Sequence, residues 1–226
     1  MGKRLNYGNL LLKRNDSGDA AIIKNIPSPN DLVVTLNDMF STPHVGILPT
    51  GKQESREAKL PPALIAGGEN QFVEFKASLI WDYHREVANK ELYTPVMKNI
   101  VAFLNSDGGD VLIGVSDDGE LLGLEPDLST MNKGNYDGFE NIFNMAFNKM
   151  IGVEYRTYVT VTFPEVDGIN ICRVTVAPST EPAYLQYKGD ERFYIRAGNA
   201  SQPLPVSKAT KYVQTHFKTR GVLVDE

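Results

Sequence analysis

Between Thr94 and Ser116 the apolar residues change period, and that change constrains the fold more than any other feature of the sequence. Thr94-Pro95 suits a helix start, because the missing N–H and fixed φ of proline are tolerated in the first turn. Val96, Met97, Ile100, Val101 and Leu104 then recur at helical spacing and give the segment one buried face. The run SDGG ends the helix, and DVLIGVS and LLGL, separated by DDGE, read as a hairpin. A helix that runs straight into strands points away from all-α and all-β chains.

The neighbouring segments repeat the mixture. In QFVEFKAS, Val73, Phe75 and Ala77 share one strand face while Phe72, Glu74 and Lys76 share the other. Downstream, Phe139, Ile142, Phe143, Ala146, Phe147 and Met150 fall at helical spacing, and these aromatics read as core. Beyond Gly152 the pattern alternates through YRTYVTVTF, the turn EVDG, INICRVTVA, AYLQY, the turn KGDE and RFYIRAG, and a last helix begins near Ser207. This order predicts an α+β fold with a mixed, mostly antiparallel sheet and helices packed on it.

The first 60 residues read as an extension. Leu10 to Leu12 and Ala20 to Ile23 flank the turn-rich NDSGD as a hairpin-like arm, and a helix after SPND carries the stripe Leu32, Val33, Leu36, Met39 and Phe40. Prolines 43, 49, 61 and 62 and the pair Gly67-Gly68 mark a connection. The expected layout is an extension at 1–60, a linker at 61–68, the main domain at 69–216 and a tail at 217–226.

With 42% hydrophobic residues the chain has enough apolar material for a core, and no apolar run approaches membrane-spanning length. No charged-then-apolar leader opens it, so a cytoplasmic location without a membrane partner is expected. The single cysteine, Cys172, excludes an internal disulfide and a cysteine-built zinc site, and its place in INICRVTV reads as core. The formal charge is -5, unevenly spread: residues 107 to 181 carry 13 acidic and 4 basic side chains, whereas 186 to 220 carry 7 basic and 2 acidic. That asymmetry reads either as two flavours of solvated surface or as a basic end that meets a polyanion.

Two constellations could carry chemistry. Glu74 and Lys76 point the same way, which is either a surface ion pair or the fixed half of a site where a carboxylate holds a metal and a lysine steadies a phosphate. Glu69 lies five positions earlier, and Asp117-Asp118 follow the first helix and strand, with Asp117 in phase with the apolar Val111, Ile113 and Val115. Carboxylates beside a lysine are what hydrolysis of a phosphodiester with Mg²⁺ or Mn²⁺ requires. In RFYIRAGN, Arg192, Tyr194 and Arg196 share a strand face, an arrangement suited to phosphate contact and base stacking or to ion pairs with the acidic middle. Lys188, in the turn just before, extends the basic set. GILPTGKQ imitates a phosphate loop but offers Gln53 where Ser or Thr would hold magnesium, and His44, His84 and His216 show no metal-ligand spacing.

VEFKAS, NIVAFLNSDGGDVLIGVSDDGELLGL and FYIRAGNASQPL together resemble the Schlafen AlbA-like domain over about residues 69 to 216. That resemblance implies a three-carboxylate metal site at Glu69, Glu74 and Asp117, with Asp118 as a one-residue register alternative. It also implies a signature Gly198-Asn199 in which Asn199 joins the nucleic-acid contacts, and beside the carboxylates Lys76 would stabilise the transferring phosphate. Ala200 and Gln202 replace the hydroxyl and basic residues frequent in the family. The expected function is nucleic-acid binding, RNA ahead of DNA, with metal-dependent endoribonuclease activity as its catalytic form. The alternatives are a non-catalytic DNA- or RNA-binding regulatory module and an ATP- or nucleotide-binding protein. One copy of a lobe that family nucleases carry twice implies a homodimer.

Overall fold

The computed structural model describes the backbone of residues 10–13, 20–23 and 60–220 and the side chains of 60–217. The helix expected over Leu32 to Phe40, the GILPTGKQ motif, His44 and residues 221–226 lie outside the described residues. The chain divides into two units, Met1–Lys52 and Gln53–Glu226. In the first, β1 (Leu10–Lys13) and β2 (Ala20–Ile23) pair antiparallel, with Leu10 opposite Ile23 and Lys13 opposite Ala20.

The second unit opens with α1 (Pro61–Ala66), where a linker is expected from the prolines. Pro61 and Pro62 occupy the first helical turn, the one place in a helix where proline is favoured, and Leu64 is buried. Next come β3 (Val73–Lys76), the short hairpin β4 (Trp81–Asp82) and β5 (Val87–Ala88), α2 (Tyr93–Leu104) and β6 (Gly109–Ile113). A short α3 (Glu125–Ser129) and the long α4 (Tyr136–Met150) lead to β7 (Val159–Thr162). The small hairpin β8 (Glu165–Val166) and β9 (Ile169–Asn170) precedes β10 (Cys172–Val176). Two further hairpins, β11 (Leu185–Tyr187) with β12 (Asp190–Arg192) and β13 (Tyr194–Ala197) with β14 (Ala200–Pro203), precede α5 (Val206–Arg220). α5 passes through Phe217, which is buried, so the expected domain end at 216 falls inside a packed helix.

The central sheet has the order β3-β6-β10-β7. β3 runs parallel to β6, and the other two pairings are antiparallel. A parallel pair needs a crossover, and α2 supplies it between β3 and β6. The fold is therefore α+β with a mixed, mostly antiparallel sheet, as expected. On one face Val111, Ile113, Cys172, Val174 and Val176 pack with Val96, Met97 and Ile100 of α2 and Phe139, Phe143 and Phe147 of α4. On the other, Val73, Phe75, Leu112 and Ile171 pack with Leu64 of α1. The second glycine of SDGG is needed for this packing: a Cβ on Gly109 would meet the Phe103 ring at 2.4 Å and the Phe72 carbonyl oxygen at 2.7 Å.

The expected hairpin after β6 is narrower than its sequence suggests. Regular pairing stops at Ile113, and a single antiparallel bridge joins Val115 to Leu121. No helix among the described residues is long and apolar enough to cross a membrane.

Candidate functional site

β3 is an edge strand whose Val73 and Phe75 enter the core beside α1, so alternation turns Glu74 and Lys76 to the α2 side. There the Glu74 carboxylate is fully engaged. Its Oε1 accepts from Lys76 Nζ at 2.7 Å and from Asn99 Nδ2 at 2.8 Å, and its Oε2 accepts from Arg196 at 2.8 Å. The Arg196 guanidinium also donates to the Asn70 carbonyl oxygen at 2.7 Å and to Ser201 Oγ at 3.2 Å, and it lies 4.7 Å from the centroid of the Phe103 ring. Ser201 in turn donates to Asn99 Oδ1. The Arg196 side chain is 3% exposed and that of Glu74 12%. Burial alone would push the Glu74 carboxyl up, but hydrogen bonds and charge from Lys76 and Arg196 hold it below its ordinary value of 4.5. The network ties β3 to α2 and β13.

The three carboxylates implied by the resemblance are not drawn together around this point. Among the described residues no group of three or more His, Cys, Asp or Glu side chains could hold a metal ion. Glu69 Oε1 accepts the Phe75 N–H at 2.8 Å and so braces the start of β3. Asp117 and Asp118 are exposed in the turn between Val115 and Leu121. The phase that would carry Asp117 inward with Val111 and Ile113 breaks at Gly114, whose φ of 92° ends the regular strand. Leu112 and Val115, three positions apart, consequently share a cluster, which an unbroken strand does not allow. With Glu74 committed to two cations and an amide, the donor set in this arrangement does not fit Mg²⁺ or Mn²⁺.

The basic stretch also divides. β12 ends at Arg192, β13 begins at Tyr194, and the pairing partner changes from β11 to β14. Tyr194 and Arg196 do share a face, but that face is buried: Tyr194 is 8% exposed and joins the main core. Arg196 is therefore a partner of Glu74 rather than a displayed cation. Arg192 and Lys188, by contrast, lie on the exposed β11–β12 hairpin, with side chains 44% and 67% exposed. Lys188 Nζ is 4.9 Å and the Arg192 guanidinium carbon 5.2 Å from the centroid of the Tyr187 ring. Their ion pairs are loose, Lys188 to Glu91 at 3.8 Å and Arg192 to Asp190 at 3.6 Å. The turn takes positive φ at both central residues, 52° at Lys188 and 85° at Gly189, as a tight two-residue hairpin requires. Asn199 is exposed in the turn between β13 and β14.

Several polar residues that organise this region have no sequence motif. Asn105, completely buried after α2, donates to the carbonyl oxygens of Ala183 at 2.8 Å and Tyr194 at 2.9 Å and accepts the Ala183 N–H at 2.8 Å. Asp127 is 1% exposed and accepts the N–H groups of Leu79, Ile80 and Trp81 at 2.8–3.0 Å. Burial pushes its carboxyl up, only partly offset by those backbone donors. Asp110 accepts from Arg173 Nε and Thr175 Oγ1, both at 2.7 Å, on the α1 side of the sheet. The signal for Asn99 was its place between Val96 and Phe103 on the apolar stripe of α2, where an amide needs a partner. Burial pushes the Cys172 thiol up, which suits a core residue.

A family model described as Schlafen, AlbA_2 matches residues 69–205. No curated protein matches the chain. Among solved structures, a Corynebacterium diphtheriae protein aligns at 20% identity and a TM-score of 0.44, covering 64% of this chain and 24% of that one. The N-terminal domain of a Nitrosomonas europaea RecG-related protein, named for an ATP-dependent DNA helicase, aligns at 21% identity and a TM-score of 0.35, covering 59% of this chain and 83% of that one. The chain thus spans about a quarter of the first of these structures.

Proposed function

The chain belongs to the Schlafen AlbA_2 family, and on that premise we propose that it binds nucleic acid, with the β11–β12 hairpin as a phosphate-contacting element. The observation that carries this reading is the cation–ring–cation cluster of Lys188, Tyr187 and Arg192 on that exposed hairpin. Cations flanking an aromatic ring suit a phosphate backbone with a base or sugar against the ring. The pairs to Glu91 and Asp190 are solvent-exposed and long, so exchanging them for phosphate costs little.

Binding without cleavage is the form this arrangement supports. Metal-dependent endoribonuclease activity would need Glu69, Glu74 and Asp117 on one ion, and Glu74 is instead held by Lys76, Asn99 and Arg196. The test is incubation with transfer RNA, single-stranded RNA and DNA, in Mn²⁺ or EDTA. The expected result is retention of intact RNA in both conditions, weakened in Lys188→Ala and Arg192→Ala. Cleavage that requires Mn²⁺ and disappears in Glu69→Gln and Glu74→Gln would make the protein a nuclease and the observed carboxylate arrangement a resting one.

A further inference from the structure

Arg192 borders a second feature that the hairpin alone does not explain. Between β12–β13, the end of β14 and α5 runs a groove of about 660 Å³, inside the roughly 300–1,000 Å³ typical of small-molecule sites. Its lining is apolar and aromatic: Phe193 and Tyr184, whose ring centroids are 5.4 Å apart, with Leu204, Ala209 and Val213. Thr210, Gln214, Glu191 and Arg192 add polar groups. Two further clefts among the described residues, of about 90 and 110 Å³ beside Asp110, are too small for such a guest.

The charge around the groove bears on the class of guest. α5 reads VSKATKYVQTHFKTR, with four lysines or arginines and no acidic residue. Lys208 and Lys211 are exposed on it outside the groove lining, where among the described residues Arg192 is the one cation and Glu191 the one acid, and Lys211 stands one turn before Gln214. An apolar, aromatic floor with Arg192 at its rim and the lysines of α5 on the flank of the same helix fits a chain that is anionic along its backbone and aromatic in its side groups. A duplex keeps its bases stacked inward and could offer only phosphates here, whereas an unpaired strand can place a base on the floor.

We propose that this groove receives an unpaired base, so that the ligand is single-stranded nucleic acid whose backbone runs from the Lys188–Arg192 hairpin along α5. The proposal rests on the nucleic-acid reading above and adds a ligand class and a site. Arg192 serves both parts, since it flanks the Tyr187 ring and lines the groove. Gln214 supplies the donor and acceptor that a base edge can use.

The experiment measures binding of a single-stranded oligoribonucleotide carrying one 2-aminopurine, and of the same sequence as a duplex, to the full chain and to Thr210→Leu, Tyr184→Leu and Arg192→Ala. Thr210 is exposed, so its leucine variant narrows the groove without touching the core, and a urea midpoint checks each variant's fold. The full chain should prefer the single strand and change the 2-aminopurine emission. Thr210→Leu and Tyr184→Leu should lose roughly 5- to 150-fold in single-strand affinity, the range for one stacked base, with the salt dependence unchanged. Arg192→Ala should lower affinity for both forms and flatten the salt dependence. Equal affinity for single strand and duplex, with Arg192→Ala still weakening both, would overturn the groove and leave the hairpin standing. Absence of binding to either form would overturn both. A mass that doubles with concentration in the full chain but not in Thr210→Leu would assign the groove to a second copy and overturn the proposal.

Discussion

Arg192 and Arg196 stand four positions apart and meet opposite environments. Arg196 is 3% exposed, paired to Glu74 at 2.8 Å and laid against Phe103. Arg192 is 44% exposed, with its nearest carboxylate 3.6 Å away. The break at Phe193 separates them: before it the strand pairs with β11 at the edge of the molecule, and after it with β14 against α2. The same guanidinium thus serves cohesion in one place and stands largely exposed in the other. Burial, rather than residue type or spacing, decides which.

Removing Arg196 should give the largest effect on stability. Arg196→Met leaves Glu74 Oε2 without its donor, with only Lys76 and Asn99 on Oε1, and should cost about 3 kcal/mol in urea unfolding. Arg196→Lys should recover only part, since an ammonium cannot reproduce the planar fork that reaches Glu74, Ser201 and the Asn70 carbonyl together. A loss under about 0.5 kcal/mol, the scale of a neutral surface change, would erase the distinction between the two arginines.

A smaller effect is expected from Asn99→Ala, which leaves Glu74 its two cations but strips an amide from Oε1 and from Ser201. About 1–3 kcal/mol is expected, the cost of a bared buried polar group.

Acid sharpens the same contrast. The folded-state value of Glu74 is depressed, so its contribution to stability is complete above the unfolded value near 4.5 and fades as pH falls through the lower folded value. Asp127 acts with the opposite sign: its raised value makes ionisation unfavourable in the fold as pH climbs past 3.8. Urea midpoints between neutral pH and pH 3 should therefore fall less steeply in Glu74→Gln than in the parent chain. An identical acid limb would remove Glu74 from the account of acid sensitivity.

The smallest effect on folding belongs to the hairpin. Lys188→Ala with Arg192→Ala should cost about 1 kcal/mol or less, because among the described residues the one tie of these side chains to a core residue is the hydrogen bond between Arg192 and Tyr194.

Much of this architecture was legible in the sequence. Thr94-Pro95, the apolar stripe of α2 and the SDGG stop placed the helix that crosses from β3 to β6, and Phe139 to Met150 placed α4. What escaped were breaks in phase and distant partners. Gly114 turns the chain after β6 and throws Asp117 outward, although a glycine inside a strand pattern is a signal for a bend. Phe193 divides what reads as one alternating strand, and its ring is buried beside Tyr184 and Tyr212. The partners of Glu74 lie 25 positions away at Asn99 and 122 away at Arg196, separations over which no periodicity carries information. Two prolines that suggested a linker instead begin α1, because helix starts and loops favour the same residue.

On the proposed reading, the exposed cations Lys188 and Arg192 contact phosphate while the buried network does not. The affinity for single-stranded RNA as a function of salt, in the parent chain and in the Lys188→Ala, Arg192→Ala double variant, separates these two roles. Two lost phosphate contacts should reduce the slope of log K against log salt by about 1.4 and weaken binding regardless of sequence. An unchanged slope and affinity in the folded double variant would contradict the claim and return the hairpin to ordinary surface.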